Sequence, residues 1–337
     1  MVKPQRDWQP DPEQMALWPE VSGNAINGLD EAGFRRPRHV YWAADPENIP
    51  HGEVQRWFYR RNDDPAFARE REIRAAVQAR ALPEKAADPV MASPEAWRAR
   101  VKAQAAALGA EAAGIAAIRP EWAYEGEDIG WRLIIVLGIA MDFESMQTAP
   151  EPEAGLEVVR QYTRGADISR HLAGWLREQG HDAAPVTGPM SGEMVLIPAA
   201  IAAGMGELGK HGSLIHRELG SCFRLSGVLT DLEIAVDAPD DFGADGFCTH
   251  CRICADHCPP DAILPEKQTV RGETKWYVDF DRCLPFFNET AGCGICVAVC
   301  PFSRPGTGAN LVAKLARRRA RDAKVSPDAA RLADGKA

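Results

Sequence analysis

Eight of the nine cysteines lie between residues 248 and 300, in two runs of four. The first run has the spacing C-x2-C-x2-C-x3-C, the second has C-x9-C-x2-C-x3-C, and a proline follows the last cysteine of each run. Thiols spaced this closely indicate metal ligation and constrain this segment more than any other part of the chain. In chain order they are Cys248, Cys251, Cys254, Cys258, Cys283, Cys293, Cys296 and Cys300.

The first run has the spacing of bacterial ferredoxins with two [4Fe–4S] clusters, in which the cysteine before the proline ligates the other cluster. Because each iron of a cubane takes one thiolate, two cubanes need eight cysteines. The spacing therefore predicts one cluster on Cys248, Cys251, Cys254 and Cys300, and a second on Cys258, Cys283, Cys293 and Cys296. Zinc ribbons and disulfides are the alternatives, but zinc sites usually come as two C-x2-C pairs, not as triplets followed by Cys-Pro.

The rest of the composition is that of a globular protein of about two domains. The chain has 337 residues, 45% hydrophobic and 26% charged, with a net charge of −9. The negative charge argues against nucleic acid as the main partner. No apolar run marks a leader, and the longest apolar stretches, 133–141 and 194–205, are too short to span a bilayer. Reduced cysteines suit a reducing compartment, so we expect a cytoplasmic location without a membrane span.

The sequence pattern divides the chain into four parts. Residues 1–80 contain Trp8, Trp18, Trp42 and Trp57 but little periodicity, which predicts an N-terminal arm packed on the core. Residues 81–235 form the predicted core domain, 236–306 the ferredoxin-like cluster domain, and 307–337 a basic C-terminal tail. In the tail, the basic residues over 311–324 predict a solvated terminal helix. The alternative is that this basic segment docks to an acidic partner or RNA.

Within the core, the pattern predicts an α+β fold. Ser93 and Gly109 flank a helix over 94–108, and Gly180 ends a longer helix over 156–179. Strands are predicted over 110–118, 132–139, 183–186 and 228–231, and the second is apolar throughout, as a strand buried on both faces would be. A short helix is predicted over 197–204. The order lacks a strict βαβ alternation, which favours an α+β sandwich over a doubly wound sheet.

Three segments carry a family resemblance: 197–212, which includes Gly-Lys-His-Gly, 224–231, and the second cluster run 283–302. Together they resemble the corrinoid-dependent reductive dehalogenases, and the related epoxyqueuosine reductases share much of the pattern. The resemblance covers about residues 95–306. It implies a nitroreductase-like core that holds a base-off cobalamin. The chain has no D-x-H-x-x-G run that would supply a histidine ligand to cobalt, as is expected of this family. It also implies reduction of an organohalide with electrons from an external donor, such as a ferredoxin, a flavodoxin or a reductase.

The resemblance also implies site residues. Tyr162 matches the proton-donating tyrosine of the dehalogenase pattern, and Lys210 matches a cation that would stabilise the phenolate left after proton donation. The alternative for Tyr162 is a tyrosine whose hydroxyl lies at the surface. The alternatives for Lys210 are a surface lysine and a contact with the phosphate of the corrinoid. Four glycines, which allow close approach of a large flat ligand, are predicted to contact the cofactor: Gly204, Gly206, Gly209 and Gly212.

Other features leave two further functions open. Asp182 lies where epoxyqueuosine reductases carry a proton-donating aspartate, although it could equally cap a loop at a strand end. The C-x9-C spacer and the Cys-Pro-Phe ending of the second run argue against that family. An electron-transfer protein with two clusters is the third hypothesis. Cys222, the ninth cysteine, is interpreted as a small buried residue, with a redox role as the alternative.

Overall fold

The computed structural model describes residues 8–188 and 192–334, and of 322–334 it describes the backbone helix alone. The helices are α1 (Pro12–Ala16), α2 (Gly23–Asn27), α3 (Gly52–Arg61), α4 (Pro65–Ala79), α5 (Pro94–Ala107), α6 (Phe143–Met146), α7 (Pro152–Glu178), α8 (Leu196–Ala202), α9 (Ala244–His250), α10 (Ile253–Asp256), α11 (Phe280–Glu289), α12 (Ile295–Ala298) and α13 (Thr307–Asp334). The strands are β1 (Ala112–Ala117), β2 (Leu133–Ala140), β3 (Ala183–Val186), β4 (Glu207–Leu208), β5 (Leu214–Ile215), β6 (Phe223–Thr230), β7 (Gln268–Val270) and β8 (Glu273–Lys275). Short 3₁₀ turns occupy Pro46–Asn48 and Pro120–Trp122.

The central element is a four-stranded antiparallel sheet with the order β1-β2-β6-β3. The predicted helices of the core are confirmed within a few residues, and β3 has the predicted bounds. Strand β6 is longer than the predicted 228–231, because it begins at Phe223 and pairs with β2 along its whole length. The prediction fell short because the polar Arg224 and Ser226 and the flexible Gly227 weaken the strand pattern.

Helices cover both faces of this sheet, which makes the fold an α+β sandwich. On one face, α5 and α7 pack on alternate residues of β2, and Ile135, Leu137 and Leu172 have no exposed surface. On the other face, α8 packs against the intervening residues, including Ile134 and Val136. Strand β2 is thus buried on both faces, as its unbroken apolar run predicts.

Residues 8–80 contain four α-helices, within the segment that the sequence pattern predicted as an arm packed on the core. Three of them have ten residues or fewer. Helices α1 and α4 begin at a proline after an aspartate cap, so caps define these two helices more than an apolar stripe does. Helix α4 packs along α7 of the core. The preceding residues contact α11 instead: the Tyr41 hydroxyl donates to Asn288 at 2.6 Å, and the Gln14 amide donates to Glu289 at 2.7 Å.

The cysteine-rich segment joins the core through close backbone contact. Gly155, in the first turn of α7, lies so near the loop of the second cysteine run that a Cβ would be 2.4 Å from the carbonyl oxygen of Ala291. Between the two runs, β7 and β8 pair as an antiparallel hairpin. Within the described residues, no helix combines the length and apolar character needed to cross a membrane.

Candidate functional site

The eight cysteines lie in two adjoining groups, on α9 to α12 and their loops. Burial raises the pKa of the Cys248 thiol to about 12, and Cys300 and Cys251 raise it further. Cys254 also interacts with all three of these residues. These four are the first group predicted from the spacing.

The second group is likewise that of the predicted crossover. Burial raises the pKa of Cys283, and Cys293 and Cys258 add to the effect. Burial also raises the pKa of Cys296 well above its usual value, with Cys293 and Cys283 as its main cysteine neighbours. Cys254 and then Cys258 follow as further neighbours of Cys296, so the two groups lie next to each other.

This arrangement suits iron–sulfur clusters better than single metal ions. Among the described residues, no three His, Cys, Asp or Glu side chains converge as ligands of one ion would. In a cubane each thiolate binds a different iron, so the four sulfurs stand further apart. Buried thiols with raised pKa values carry their protons in the absence of metal, and iron binding displaces those protons.

A cavity of about 270 Å³ opens where the central sheet loses its edge strand. Strand β3 stops at Val186, which pairs with Gly227, so the first four residues of β6 have no strand partner on that side among the described residues. Phe223, Arg224 and Leu225 of β6 line the space that is left, with Tyr162 of α7. The cavity is thus a consequence of unequal strand lengths.

Tyr162 stands among cations in this cavity. The guanidinium carbon of Arg224 lies 5.5 Å from the centre of the Tyr162 ring, and that of Arg74 lies 5.9 Å away. The buried Nε of Arg224 has no hydrogen-bond acceptor among the described residues. Since an unpaired buried donor is costly, this atom favours an anionic or carbonyl-bearing ligand. Arg224 is a site residue that the sequence alone did not reveal, because 61 residues separate it from Tyr162.

Aromatic side chains form the opposite wall. His39 and Tyr124 stack with ring centres 3.7 Å apart, and Trp42 stands beside them. These three residues also line an adjoining cavity of about 300 Å³, whose lining includes Cys283 of the second cysteine group. The first group is near as well, because Ser221 lines the main cavity and its hydroxyl lies 3.8 Å from the Cys300 sulfur. Both cysteine groups therefore approach this region.

The other predicted site residues lie elsewhere. Lys210 is 2% exposed, and its Nζ stands 4.9 Å from the centre of the Trp276 ring. It lines a different cavity, with Arg252 and Arg282, and does not appear in the described lining around Tyr162. Its backbone N–H bonds to Cys248. The pairing of Lys210 with Tyr162 stays a prediction from the resemblance.

Asp182 is half-exposed at the start of β3. It accepts a hydrogen bond from Lys85 at 2.5 Å and another from Arg177 at 3.1 Å. These contacts, above all the one from Lys85, hold the pKa of its carboxyl below the usual value. Cys222 is 4% exposed, and burial raises its pKa to about 11, as expected of a small buried residue.

The four predicted cofactor-binding glycines face protein atoms. A Cβ at Gly206 would be 2.0 Å from the Ile215 carbonyl oxygen, and one at Gly204 would be 2.6 Å from that of Ala238. Gly209 faces the His211 ring and Gly212 faces Val278. In the described structure they allow tight turns and close packing, and their contact with a cofactor stays a prediction.

The comparisons with known proteins agree with this geometry. The family description 4Fe-4S dicluster domain matches residues 247–303. The chain is 35% identical over 222 residues to a tetrachloroethene reductive dehalogenase of Desulfitobacterium hafniense. This alignment covers 62% of this chain and 39% of that protein. An epoxyqueuosine reductase of Lactococcus garvieae is 26% identical over 196 residues, covering 51% of this chain and 52% of that protein.

Two solved structures have the same fold. The catabolic reductive dehalogenase NpRdhA, in complex with 3-bromo-4-hydroxybenzoic acid, aligns with a TM-score of 0.71 and 26% identity, over 82% of this chain and 43% of that one. A reductive dehalogenase described as suggesting a mechanism for B12-dependent dehalogenation aligns with a TM-score of 0.65 and 26% identity, over 85% and 42%.

These similarities confirm the resemblance noted in the sequence. The chain spans about 39% of the length of the first curated relative. The fold is reductive dehalogenase-like, with mixed helices and strands and a 4Fe-4S dicluster domain. This chain is thus similar to the reductive dehalogenases over 62% of its length and carries a 4Fe-4S dicluster domain.

Proposed function

We propose that this chain is a reductase that removes halogen from an organohalide, using a corrinoid and two [4Fe–4S] clusters. The observation that carries the proposal is the cavity at the open end of β6, where Tyr162 meets Arg224 and to which both cysteine groups are close. The similarity to dehalogenases supports it.

The proposal gives each part of the chain a task. Residues 81–235 form a nitroreductase-like, corrinoid-binding core, and 236–306 hold the two clusters with the cysteine assignment given above. Residues 1–80 pack across both, which is consistent with the contacts of α4 to α7 and of Tyr41 to Asn288. Residues 307–337 form a basic tail.

The residues around the cavity suit a corrinoid. Flat aromatic rings of Trp42 and Tyr124 and the apolar Phe223 and Leu225 would hold the macrocycle, and the adjoining cavity extends the space. The unpaired Nε of Arg224 marks a place for a polar group that the protein itself does not fill. When bound, a corrinoid supplies a cobalt centre that accepts electrons singly and delivers them to the carbon–halogen bond.

The side chains supply what the reaction needs besides electrons. Replacing carbon–halogen by carbon–hydrogen consumes two electrons and one proton and releases a halide ion. The Tyr162 hydroxyl is the proton donor within reach of the cavity, and Arg224 offsets the negative charge of the phenolate and of the departing halide. NpRdhA is described with a bromophenolic acid, and an anionic haloaromatic would also satisfy the Nε of Arg224. We therefore place haloaromatic acids first among candidate substrates.

The test is anaerobic turnover of the protein after iron–sulfur reconstitution and addition of cobalamin, with released bromide or chloride as the readout. Tyr162→Phe should abolish halide release while it leaves iron content and corrinoid retention unchanged. A protein that retains corrinoid but releases no halide from haloaromatic acids or chloroethenes would contradict the proposal. Failure to retain corrinoid would favour an electron-transfer protein instead.

Electrons would enter from an external carrier, such as a ferredoxin, a flavodoxin or a reductase. Thiols kept reduced for iron ligation suit a reducing compartment, so we place the protein in the cytoplasm. The epoxyqueuosine reductase alternative depends on Asp182, which forms ion pairs at the surface and is not among the described lining residues of the cavity. That position favours the dehalogenase proposal.

A further inference from the structure

A chain of hydrogen bonds leads from a buried histidine to a cysteine of the first group. The ring Nε2 of His211 lies 3.0 Å from the hydroxyl oxygen of Ser221, and that hydroxyl lies 3.8 Å from the sulfur of Cys300. His211 is 5% exposed and Ser221 is 2% exposed, so water has little access to either group.

The surroundings fix the direction of each hydrogen bond. The backbone N–H of Ser213 donates to Nδ1 of His211 at 3.1 Å, so Nδ1 carries no proton. Burial lowers the pKa of His211 to about 4, which keeps the ring neutral with its proton on Nε2. The ring therefore donates to the Ser221 oxygen, and the hydroxyl hydrogen of Ser221 is left to point at the Cys300 sulfur.

The backbone holds Ser221 against the cysteine-rich segment. Its N–H donates to the hydroxyl of Ser303 at 3.0 Å. The preceding Gly220 has φ = 62°, and a Cβ there would be 2.3 Å from the carbonyl oxygen of Phe302. Only glycine combines this conformation with so close an approach, so Gly220 allows β6 to start beside Cys300.

We propose that Ser221, positioned by His211, raises the reduction potential of the cluster that Cys300 ligates. This inference rests on the cluster assignment in the proposed function. One-electron reduction adds negative charge that spreads onto the thiolate sulfurs, and a donor hydrogen bond stabilises that charge. The reduced cluster gains more than the oxidised one, so its potential becomes less negative.

Ser221 differs from the other donors to these sulfurs because it can be replaced without altering the backbone. The sulfur of Cys258 receives the backbone N–H of Ala262 at 3.4 Å, and Cys248 receives that of Lys210. Ser221 also lines the cavity. It therefore acts on the first cluster at the point nearest to the proposed reaction site.

The experiment is a redox titration of the reconstituted protein, monitored by electron paramagnetic resonance, in which the two reduced clusters are followed separately. Ser221→Ala should shift the midpoint potential of one cluster to more negative values and leave the other in place. Ser221→Thr, which keeps the hydroxyl, should restore most of the potential. The matched control is Ser226→Ala, since Ser226 is 1% exposed and its Oγ has no hydrogen-bond partner among the described residues.

A second measurement covers the case in which Ser221→Ala loses a cluster. After exchange into deuterated water, the wild-type protein should show a hydroxyl deuteron coupled to one reduced cluster in addition to the deuterons of the backbone N–H donors, and Ser221→Thr should retain it. Two intact clusters with potentials unmoved by Ser221→Ala, or no such deuteron in the wild type, would overturn the inference. A wild-type protein that assembles no [4Fe–4S] clusters would instead overturn the proposed function.

Discussion

The two ends of strand β6 have opposite surroundings. From Gly227 to Thr230 the strand has partners on both sides, β2 and β3, and Val228 is completely buried under α7. From Phe223 to Ser226, β2 is the one strand partner among the described residues, and Phe223, Arg224 and Leu225 line the cavity. One strand thus contributes to the packed core and to the candidate active site.

The difference shows how the fold accommodates charge near its centre. At the closed end, apolar side chains fill the space, and a guanidinium there would lack both water and a partner. At the open end, Arg224 keeps access to a cavity and to the Tyr162 ring, 5.5 Å away. A shortened edge strand therefore provides room for reactive polar groups without opening the core.

The largest effect is expected at the open end, from Arg224→Gln. Loss of the charge that offsets the Tyr162 phenolate and the halide should lower kcat roughly 10²- to 10³-fold. The fold should be unaffected, because Arg224 Nε has no protein acceptor in the described structure. The measurement is anaerobic halide release, with Arg224→Lys as the charge-retaining control. Equal turnover of the Gln variant and the wild type would remove Arg224 from the reaction.

A substitution at the closed end should lower the free energy of unfolding and leave the rate of halide release unchanged. Leu172, on α7, has no exposed surface, and Leu172→Ala should lower the free energy of unfolding by about 2–5 kcal/mol. Denaturant titration of the reconstituted protein measures this change. The control is Val236→Ala at an exposed position, expected within about 0.5 kcal/mol of the wild type. Halide release per folded molecule should stay near the wild-type value, and a loss like that of Arg224→Gln would erase the distinction between the two ends.

A smaller effect is expected from Lys210→Met. This change removes a cation stacked on Trp276, a contact worth roughly 0.5–2 kcal/mol, and leaves the described cavity lining intact. Trp276 fluorescence and denaturant titration should report the change, while halide release falls much less than in Arg224→Gln. The reverse ranking of these two variants would return the catalytic cation to Lys210, as the resemblance implied.

The smallest effect is expected from Asp182→Asn. Because Lys85 and Arg177 lower the pKa of this carboxyl, its contribution is present above the unfolded value near 3.9 and is lost as the pH falls through the folded value. Its half-exposed ion pairs contribute at most about 1 kcal/mol. The difference in unfolding free energy between wild type and variant should therefore shrink from pH 7 to pH 3. Halide release should be nearly unchanged, and its loss would favour the epoxyqueuosine reductase alternative.

The sequence predicted features that depend on local pattern. The caps and glycines of α5 and α7 and the unbroken apolar run of β2 predicted those elements within a few residues. The cysteine spacing predicted a dicluster domain, which the family match over residues 247–303 confirms, while the assignment of each cysteine to a cluster stays a prediction. In each case, neighbouring residues in the chain carry the necessary information.

Features that depend on distant contacts were not predictable in the same way. Arg224 gains its importance from Tyr162 on another element and from the early end of β3. The glycines from Gly204 to Gly212 predicted close approach of a large flat ligand, but only the fold reveals that their faces meet protein atoms. Three of the N-terminal helices have ten residues or fewer, so much of their stability comes from partners such as α11, and the longer α4 packs along α7.

The contact between Gly155 and Ala291 has a mechanical consequence. Tyr162 stands two turns further along the same helix, so α7 fixes the distance between the loop of the second cysteine run and the phenol that we propose as proton donor. A methyl group at residue 155 would push α7 away from that loop. In the proposed reaction, this glycine would thus keep the second cluster and the proton donor at a constant spacing.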